Sequence, residues 1–326
     1  MDHLSPLVSP AERSEALESL SHITRGLSRR DFLRLSALGA VSLGALGVGL
    51  GGCTPEQQQA VKELLEKIAN RPVRKDINSL ANDDPILEAY RKAVDQMKAL
   101  PSSDKRNWTR QAEIHRDFCP HGNWLFLPWH RAYLWYFEEI CRELSGMEAF
   151  ALPYWNWQKD PQIPAAFWGG ASNPLFNSTR TATQTSTVPS SITGPPVIES
   201  ILDEPNFLLF ASGQIPLSSG QRTSASYGPL EGTPHNSIHG FVGGNMGNYM
   251  SPLDPVFWTH HNMVEAIWVE WNWVRSNPNT NDSNWVDREF TEFVDRAGNP
   301  VQITVTDMLL FPLFNYRFDE PVLGVP

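Results

Sequence analysis

Histidine is the residue type whose spacing in this chain most clearly indicates chemistry. Seven of the nine histidines lie in two short windows, residues 115–130 and 235–261. They are His115, His121, His130, His235, His239, His260 and His261. Imidazole nitrogens bind copper, zinc, iron or nickel, and the lack of carboxylate or thiolate ligands argues against magnesium, calcium and structural zinc. Copper forms the tightest complexes of this series, so the pattern favours two copper sites of three histidines each.

The spacing within the two windows indicates how each triplet converges. His235 and His239 stand four residues apart, so on a helix they project from one face at neighbouring height. His261 lies on a separate predicted helix and completes the second triplet. The first triplet combines a histidine at the start of another helix with two upstream histidines: His130, His115 and His121. A single histidine is more often a hydrogen-bonded core residue, but two matched triplets argue against that interpretation.

Helical periodicity supplies the scaffold for these histidines. Three segments carry apolar residues at helical spacing: Asp84-Pro85 to Pro101, residues 130–144 and residues 255–275. Residues 171–230 are rich in Ser, Thr, Pro, Asn and Gly and are predicted to be mostly surface loop. Residues 289–305 are predicted to form a small β-hairpin. The expected fold class is therefore mainly α, with long surface loops and little sheet.

The charge balance argues against nucleic-acid binding, and the cysteine content argues against a fold held by disulfides. The formal net charge is −10, with 36 acidic against 26 basic residues. This balance argues against nucleic acid as a partner, because phosphate backbones require basic patches. Three cysteines cannot form a disulfide framework.

The N-terminal residues 1–53 have the layout of an export signal. Arg29 and Arg30 precede an uncharged, glycine-rich stretch, which is typical of the twin-arginine route. A transmembrane helix is the alternative, and the glycine content favours the signal. Leu50-Gly51-Gly52-Cys53 resembles a lipobox, in which Cys53 would be lipidated and tether the protein to a membrane; a plain signal cleavage nearby is the alternative. The expected location is periplasmic or at the cell surface.

These motifs together resemble the tyrosinase/polyphenol oxidase family of type-3 dicopper proteins, in the form of a bacterial exported member. The first-copper motif comprises His121, Phe126-Leu127-Pro128-Trp129-His130-Arg131, Leu134 and Glu138, and the second is Asp254 to His261. Further matches are ALPYWNW at 151–157, NWVDREFTEF at 284–293 and Tyr316-x-Phe318. The resemblance implies a copper-binding core domain at residues 73–320, preceded by a tether at 54–72 and followed by a tail at 321–326.

The resemblance also implies the fold and the cofactor. The family fold is a four-helix bundle that holds a dicopper centre between facing helices. By resemblance, the first copper is bound by His115, His121 and His130, and the second by His235, His239 and His261. In the family, the two copper ions bind O2 as a bridging peroxide and oxidise phenols.

Three further assignments around the ligands follow from the resemblance. Cys119 precedes His121 in a Cys-x-His arrangement that becomes a thioether cross-link in some members, with a free buried cysteine as the alternative. A glutamate and an asparagine beside the second site, matched by Glu231 and Asn236, hold the water that deprotonates a phenol. The alternatives are a solvated loop carboxylate for Glu231 and a helix-cap or surface amide for Asn236.

The substrate pocket is expected around residues 243–252 and the histidine pair of the second motif. The residue that gates the second copper is Asn248, Tyr249 or Met250, and the sequence does not choose among them. His260 is expected to line the same pocket. Glu265 stands where the family has Asp and is expected to orient a ligand or to pair with Arg131.

The expected function is the copper-dependent oxidation of phenols with O2, including o-hydroxylation of monophenols and oxidation of o-diphenols to o-quinones. A catechol oxidase without hydroxylase activity is the first alternative. A haemocyanin-like O2 carrier and a structural protein without metals are the others. The expected partners are O2 and phenolic small molecules, and a copper chaperone, which the sequence does not identify, is a candidate partner.

Overall fold

The computed structural model describes residue 66 and residues 70–309, 311 and 314–319. The predicted export signal with Cys53, most of the tether at 54–72 and the tail at 321–326 lie outside the described residues, and the domain boundaries stay a prediction. Within the described part, no helix combines the length and the apolar character that crossing a membrane requires. The described chain is mainly helical with little strand, as the sequence predicts.

Two long helices pack against each other and form one side of the core. Helix α1 (Pro85–Ala99) begins at Asp84, whose side chain accepts a hydrogen bond from the Ile86 amide, and ends before Pro101. Helix α3 (Phe126–Ser145) is buried along almost its whole length and ends at Gly146, whose left-handed φ of 72° suits glycine. The predicted segment 130–144 is therefore one turn too short at its start, because Pro128 is tolerated in the first turn.

Helix α2 (Trp108–Phe118) lies between these two and is not anticipated by the sequence analysis. Asn107 caps it by accepting hydrogen bonds from the amides of Thr109 and Arg110. Its buried face consists of Trp108, Gln111, Ala112 and His115. Two of these four residues are polar, so the apolar periodicity that reveals α1 and α3 is weak here.

Residues 171–230 contain three short helices within otherwise irregular chain. They are α4 (Ser190–Thr193), α5 (Pro195–Leu202) and α6 (Phe207–Phe210). The prediction of loop therefore holds for most of the segment but misses these turns. Ile198 and Phe210 from this region are fully buried, and Phe210 stacks on Trp271 with ring centroids 4.4 Å apart. The segment thus packs against the core and contributes buried side chains to it.

The second half of the core is built from two helices with π-helical ends. Glu231–His235 forms a π-helical turn that runs directly into α7 (Asn236–Val242). Helix α8 (Val256–Val269) is buried at every position and continues into a second π-helical segment, Glu270–Val274. Together with α2 and α3, these helices enclose the histidines. This arrangement agrees with the expected helical bundle core.

Among the residues that the structure describes, the sheet structure consists of two short strand pairs, and α9 (Ser283–Val286) precedes one of them. Strand β1 (Val73–Arg74) pairs in parallel with β4 (Arg317–Phe318), which joins the two ends of the described core. Strand β2 (Glu289–Phe290) pairs antiparallel with β3 (Ile303–Thr304). The latter pair is the hairpin predicted at 289–305.

Candidate metal centre

The first histidine group collects one side chain from α2, one from a loop and one from α3. His115 lies in the last turn of α2, His121 lies between the helices, and His130 lies in the second turn of α3. Their ring centroids are 5.5 to 5.7 Å apart. Their ligand atoms all lie within 4.8 Å of one another. The expectation that His130 starts its helix is corrected, because α3 begins four residues earlier.

Backbone carbonyls orient two rings of this group. His115 Nδ1 lies 2.8 Å from the Tyr249 carbonyl oxygen, and His130 Nδ1 lies 2.7 Å from that of Phe126. A carbonyl oxygen only accepts, so each Nδ1 carries the proton and each Nε2 presents its lone pair. Both Nε2 atoms are buried and have no hydrogen-bond partner among the described residues. This is the tautomer that binds a metal ion.

In the second histidine group, the Nε2 atoms of three side chains lie close together. The Nε2 atom of His261 lies 3.3 Å from that of His235 and 3.1 Å from that of His239. His239 donates its Nδ1 proton to the Met246 carbonyl at 2.7 Å, and His235 Nδ1 lies 3.0 Å from Asn236 Oδ1. The Nε2 atoms of His235 and His239 are therefore acceptors that both face His261.

A metal ion fits this geometry. Nitrogen ligands about 2.0–2.1 Å from one ion are separated from each other by about 3.3–3.6 Å. The distances of 3.1 and 3.3 Å are close to that range. If His261 Nε2 carried a proton, it could donate a hydrogen bond to only one of the two neighbouring Nε2 atoms. One metal ion, in contrast, can be coordinated by all three nitrogens. The donor set, three neutral imidazoles, suits copper.

The two groups face each other across the bundle. His130 and His261 stack with ring centroids 4.5 Å apart and an interplanar angle of 14°. His121 and His235 also stack, at 5.6 Å. Burial lowers the pKa of His121 to about 3 and that of His239 to about 4, with neighbouring His239 contributing to the former. Both rings are thus neutral at pH 7, as metal binding requires.

His260 belongs to the second group in space but not to the cleft. Its side chain is fully buried, and its ring stacks on His235 at 5.5 Å. It forms part of a four-histidine cluster with His235, His239 and His261. His260 is not among the residues that line the cleft described below, and its expected place in the substrate pocket stays a prediction.

A cleft of about 180 Å³ opens over the two histidine groups. Its lining consists of His115, His121, Tyr227, His235, Asn236, His239, Met246, Gly247, Asn248, Tyr249 and Ser251. Two of the three candidate gate residues, Asn248 and Tyr249, line it. Met250, the third candidate, is not among the lining residues, and the choice of the gate residue stays a prediction. Tyr227, which the sequence analysis missed, lies at the mouth.

The remaining predicted residues lie beside the ligands. Cys119 is buried, with Sγ 3.5 Å from His121 Nδ1, and burial raises the pKa of its thiol. Glu231 is completely buried, which excludes a solvated loop carboxylate. It accepts hydrogen bonds from the Gly122 amide at 2.7 Å and from Ser212 Oγ. Burial raises the pKa of Glu231 to about 8, against the lowering effect of these two donors.

An ion pair connects the helices of the two groups. Arg131, next to His130, places Nε 2.8 and 3.0 Å from the two carboxylate oxygens of Glu265, one turn after His261. The Tyr316 hydroxyl donates to the same carboxylate at 2.8 Å. The Arg131 guanidinium lies 3.6 Å above the Trp268 ring. The pairing of Glu265 with Arg131, one of the two expected roles, is thus present despite the additional methylene.

A second buried ion pair was not anticipated by the sequence analysis. Arg74 Nε lies 2.8 Å from Glu138, and both side chains are inaccessible to solvent. Arg74 also donates to Asn262 Oδ1 at 2.8 Å, and Asn262 directly follows His261. The pairing joins residues 64 positions apart, so local sequence patterns do not reveal it.

A protein-family model now accounts for this arrangement. The model for the common central domain of tyrosinase matches residues 91–206 and 198–274, which include all seven clustered histidines. The chain belongs to the tyrosinase family. The family and the two histidine groups support copper as the cofactor of this tyrosinase-family protein.

Individual relatives include plant and bacterial proteins. The chain is 30% identical to chloroplastic polyphenol oxidase A1 of Vicia faba over 77% of its own length and 48% of that protein. It is 30% identical to (+)-larreatricin hydroxylase of Larrea tridentata, covering 85% of this chain and 54% of the relative. Tyrosinase HcTyr1 of a Hahella strain is 31% identical, over 72% and 61% respectively. The chain thus spans about half the length of the curated plant relatives it matches.

Solved structures support the same fold. The polyphenol oxidase of Grenache grapevine (Vitis vinifera) superposes with a TM-score of 0.70 at 25% identity, covering 78% of this chain and 87% of that one. Latent apple tyrosinase gives a TM-score of 0.69 at 27% identity, covering 78% and 64%. Both are similar to this chain in the helical core.

Proposed function

We propose that this protein uses two copper ions, one in each histidine group, to oxidise phenols with O2. The observation that carries the proposal is the opposition of two neutral three-histidine groups beneath one cleft. When bound, the copper ions supply electrons to O2 and receive them from the phenol. The chain's own residues hold the ions, orient the rings through backbone carbonyls and exclude bulk water with an aromatic wall.

The cleft suits an aromatic substrate. Tyr249 and Tyr227 stand at its mouth, and Phe257 packs edge-on against His115 with centroids 5.0 Å apart below it. A phenol ring that enters between the tyrosines meets both histidine groups at the floor. Polar contacts are few, so shape and ring stacking select the substrate and the phenol oxygen is directed towards the metals.

We further propose that monophenols are hydroxylated as well as diphenols oxidised. A phenol with a pKa near 10 must lose its proton to bind copper well at neutral pH. Asn236 lines the cleft, and Glu231 lies five residues earlier, at the buried start of the π-helical turn. With a pKa of about 8, Glu231 suits proton acceptance near neutral pH. These two residues are proposed to hold the water that takes the phenol proton.

A single assay separates this function from its alternatives. Copper-loaded protein is given tyrosine or a catechol, and O2 consumption and quinone absorbance are followed together, with zinc-loaded protein as the redox-inactive control. Quinone from both substrates supports the full proposal, and quinone from the catechol alone reduces it to a catechol oxidase. Reversible O2 binding without quinone indicates a haemocyanin-like carrier. If the protein neither binds O2 nor turns over either substrate, the proposal is contradicted.

A thioether between Cys119 and His121 is part of the proposal. The sulfur already lies beside the imidazole, and His121 is the one predicted ligand of the first group that no helix holds. A covalent bond to the ring would fix its orientation. Loss of two hydrogen atoms would lower the intact mass by about 2 Da, and free alkylation of Cys119 would contradict the cross-link.

We also propose that the protein is exported by the twin-arginine route and tethered through lipidated Cys53. The support is the Arg29-Arg30 pair and the lipobox-like residues 50–53. Mass spectrometry of the mature N-terminus tests this directly. An unmodified Cys53, or a mature protein that starts elsewhere, would refute the lipid anchor.

A further inference from the structure

A loop segment, residues 221–227, lies across the chain that carries His121, and we call it the strap. The Gly122 carbonyl accepts hydrogen bonds from two strap amides at 2.7 and 2.9 Å, those of Ala225 and Ser226. Ser224 Oγ donates to the His121 carbonyl at 2.9 Å. Asn123 Nδ2 donates to the Gln221 and Thr223 carbonyls at 2.8 and 2.9 Å. These bonds fix the strap at the edge of the cleft.

The strap carries an arginine to the cleft mouth. The Arg222 guanidinium carbon lies 4.6 Å above the ring of Tyr249, which lines the cleft. One nitrogen, Nη1, donates to the Arg116 carbonyl. The Tyr249 contact and this bond define the position of the side chain while leaving Nε and Nη2 free of hydrogen bonds to the described residues. Because the guanidinium is exposed, these donors are accessible to a ligand.

Arg222 has no acidic partner within the part of the chain that the structure describes. The neighbouring Arg116, by contrast, binds both carboxylate oxygens of Asp117 at 2.7 and 2.8 Å and lies 3.7 Å from Glu113. The hydrogen bonds from Arg116 are the main cause that lowers the pKa of Asp117, and the charge of Arg222 adds a smaller lowering from a greater distance. Arg222 is therefore a cation beside the candidate active site to which no described carboxylate is hydrogen-bonded.

The Tyr249 ring limits how far this cation lies from the metal-binding rings. Its centroid lies 5.8 Å from that of His121 and 4.6 Å from the Arg222 guanidinium carbon. The guanidinium is therefore no more than about 11 Å from the His121 ring. This upper limit puts the cation within reach of the end of a phenol whose oxygen approaches the metals and whose para side chain has two or three carbons.

We propose that Arg222 makes the cleft selective for phenols that carry a carboxylate at the end of a short side chain. The inference rests on the proposed phenol oxidation and adds a substrate class to it. Guanidinium and carboxylate form charge-assisted hydrogen bonds, and the two free donors of Arg222 suit this geometry. Solvent exposure limits the gain, because exposed ion pairs contribute little.

The test compares two catechols that differ only in charge. These are 3-(3,4-dihydroxyphenyl)propanoate and its primary amide, and kcat/KM is measured for each with wild type, Arg222→Gln, Arg222→Lys and Arg110→Gln. Arg110 is the control because it is an exposed cation of α2 that pairs with Glu113 and does not hold Asp117. We expect the acid-to-amide ratio to fall about fivefold in Arg222→Gln. It should change less than about twofold in the lysine variant and in the Arg110 control. In roughly 0.5 M salt the wild-type preference should shrink, because the charges are exposed.

Two results would overturn the inference. One is an unchanged ratio in Arg222→Gln, and the other is an equal fall in Arg110→Gln, which would indicate a general surface-charge effect. Failure of the proposed function has a different signature, since wild type would then oxidise neither compound. In that case, calorimetric binding of the same acid and amide to the copper-loaded protein gives the ratio directly, and the same variants test it.

Discussion

The Nε2 atoms of His239 and His261 lie 3.1 Å apart, although one side chain comes from α7 and the other from α8. His239 is held in this position by its bond to the Met246 carbonyl. The chain between the two helices, residues 243–255, folds back to bring the two histidines together. His261 is buried and His239 is partly buried, and both rings are uncharged at neutral pH. The protein thus maintains a compact polar cluster that a bound cation would stabilise.

The metal-free protein is expected to lose stability on mild acidification. Burial holds the pKa of His121 at about 3 and that of His239 at about 4, whereas unfolded histidine titrates near 6.5. Below pH 6.5 the unfolded chain therefore binds more protons than the folded one, and stability falls. Each such histidine contributes up to about 1.4 kcal/mol per pH unit between these limits.

Glu231 acts in the opposite direction, because its folded pKa of about 8 lies above its unfolded value and favours folding as the pH falls. The stabilising effect of this one carboxyl at lower pH is smaller than the combined destabilising effect of the seven buried or nearly buried histidines of the two clusters. We expect the melting temperature of metal-free protein to drop by at least about 5 °C between pH 7.5 and 5.5. His239→Gln should reduce this drop, and a melting temperature independent of pH would contradict the burial argument.

Removing the charge of Glu265 is expected to destabilise the protein strongly. The substitution Glu265→Gln leaves the buried guanidinium of Arg131 without a counterion, which costs about 3–5 kcal/mol of unfolding free energy. Glu199→Gln is the matched control, because its ion pair with Arg275 is solvent-exposed and contributes less than about 1 kcal/mol. Urea unfolding of both variants measures the difference. If both substitutions lowered the unfolding free energy equally, the negative charge of Glu265 would not be required to stabilise Arg131.

Gly122→Ala is expected to disturb the loop that carries His121. Gly122 has a φ of 67°, and an added Cβ would meet the Cβ and Oγ of Ser224 at 3.1 Å. Strain and crowding together should cost about 1–3 kcal/mol and accelerate loss of one copper ion during dialysis. Gly220→Ala is the control, since its Cβ would enter open space. If Gly122→Ala retains copper as wild type does, the strap does not position His121.

Replacing Asn236 by alanine is expected to affect monophenols more than diphenols. Asn236 is proposed to hold the water that removes the phenol proton, and general-base assistance contributes about 100-fold or more where it operates. We expect kcat/KM for tyrosine to fall at least tenfold relative to that for a catechol. Ser237→Ala, the next residue on α7, serves as the control. Full tyrosine activity in Asn236→Ala would refute the assignment.

The sequence predicted those helices and strands that are marked by a pattern of neighbouring residues. Helices α1, α3 and α8 have continuous apolar faces, and the hairpin has a turn between two short strands. Helix α2 was missed because Gln111 and His115 occupy its buried face. The signal that would have found it is the cap at Asn107 followed by Trp108 and Ala112 at helical spacing.

The sequence singled out the histidines of the candidate site but only part of their support. Histidine type and spacing pick out the six proposed ligands, and the structure places them in two groups. The family motif led us to expect the pair Arg131–Glu265 as one of two roles for Glu265. The pair Arg74–Glu138 joins residues 64 positions apart and was not anticipated, because no local pattern encodes such a contact. The burial of His260 depends likewise on how the neighbouring rings pack. The π-helical turn at Glu231–His235 contains Pro234, which by itself argues against any helix.

Counting the copper ions per chain by native mass spectrometry tests the central claim most directly. Reconstituted wild type should carry two copper ions, because each of the two histidine groups presents a complete set of nitrogen ligands. His115→Ala, in the first group, and His239→Ala, in the second, should each carry one, while Cys141→Ser, buried elsewhere on α3, should retain two. A wild-type protein that binds a single copper ion, or variants that both retain two, would contradict the account.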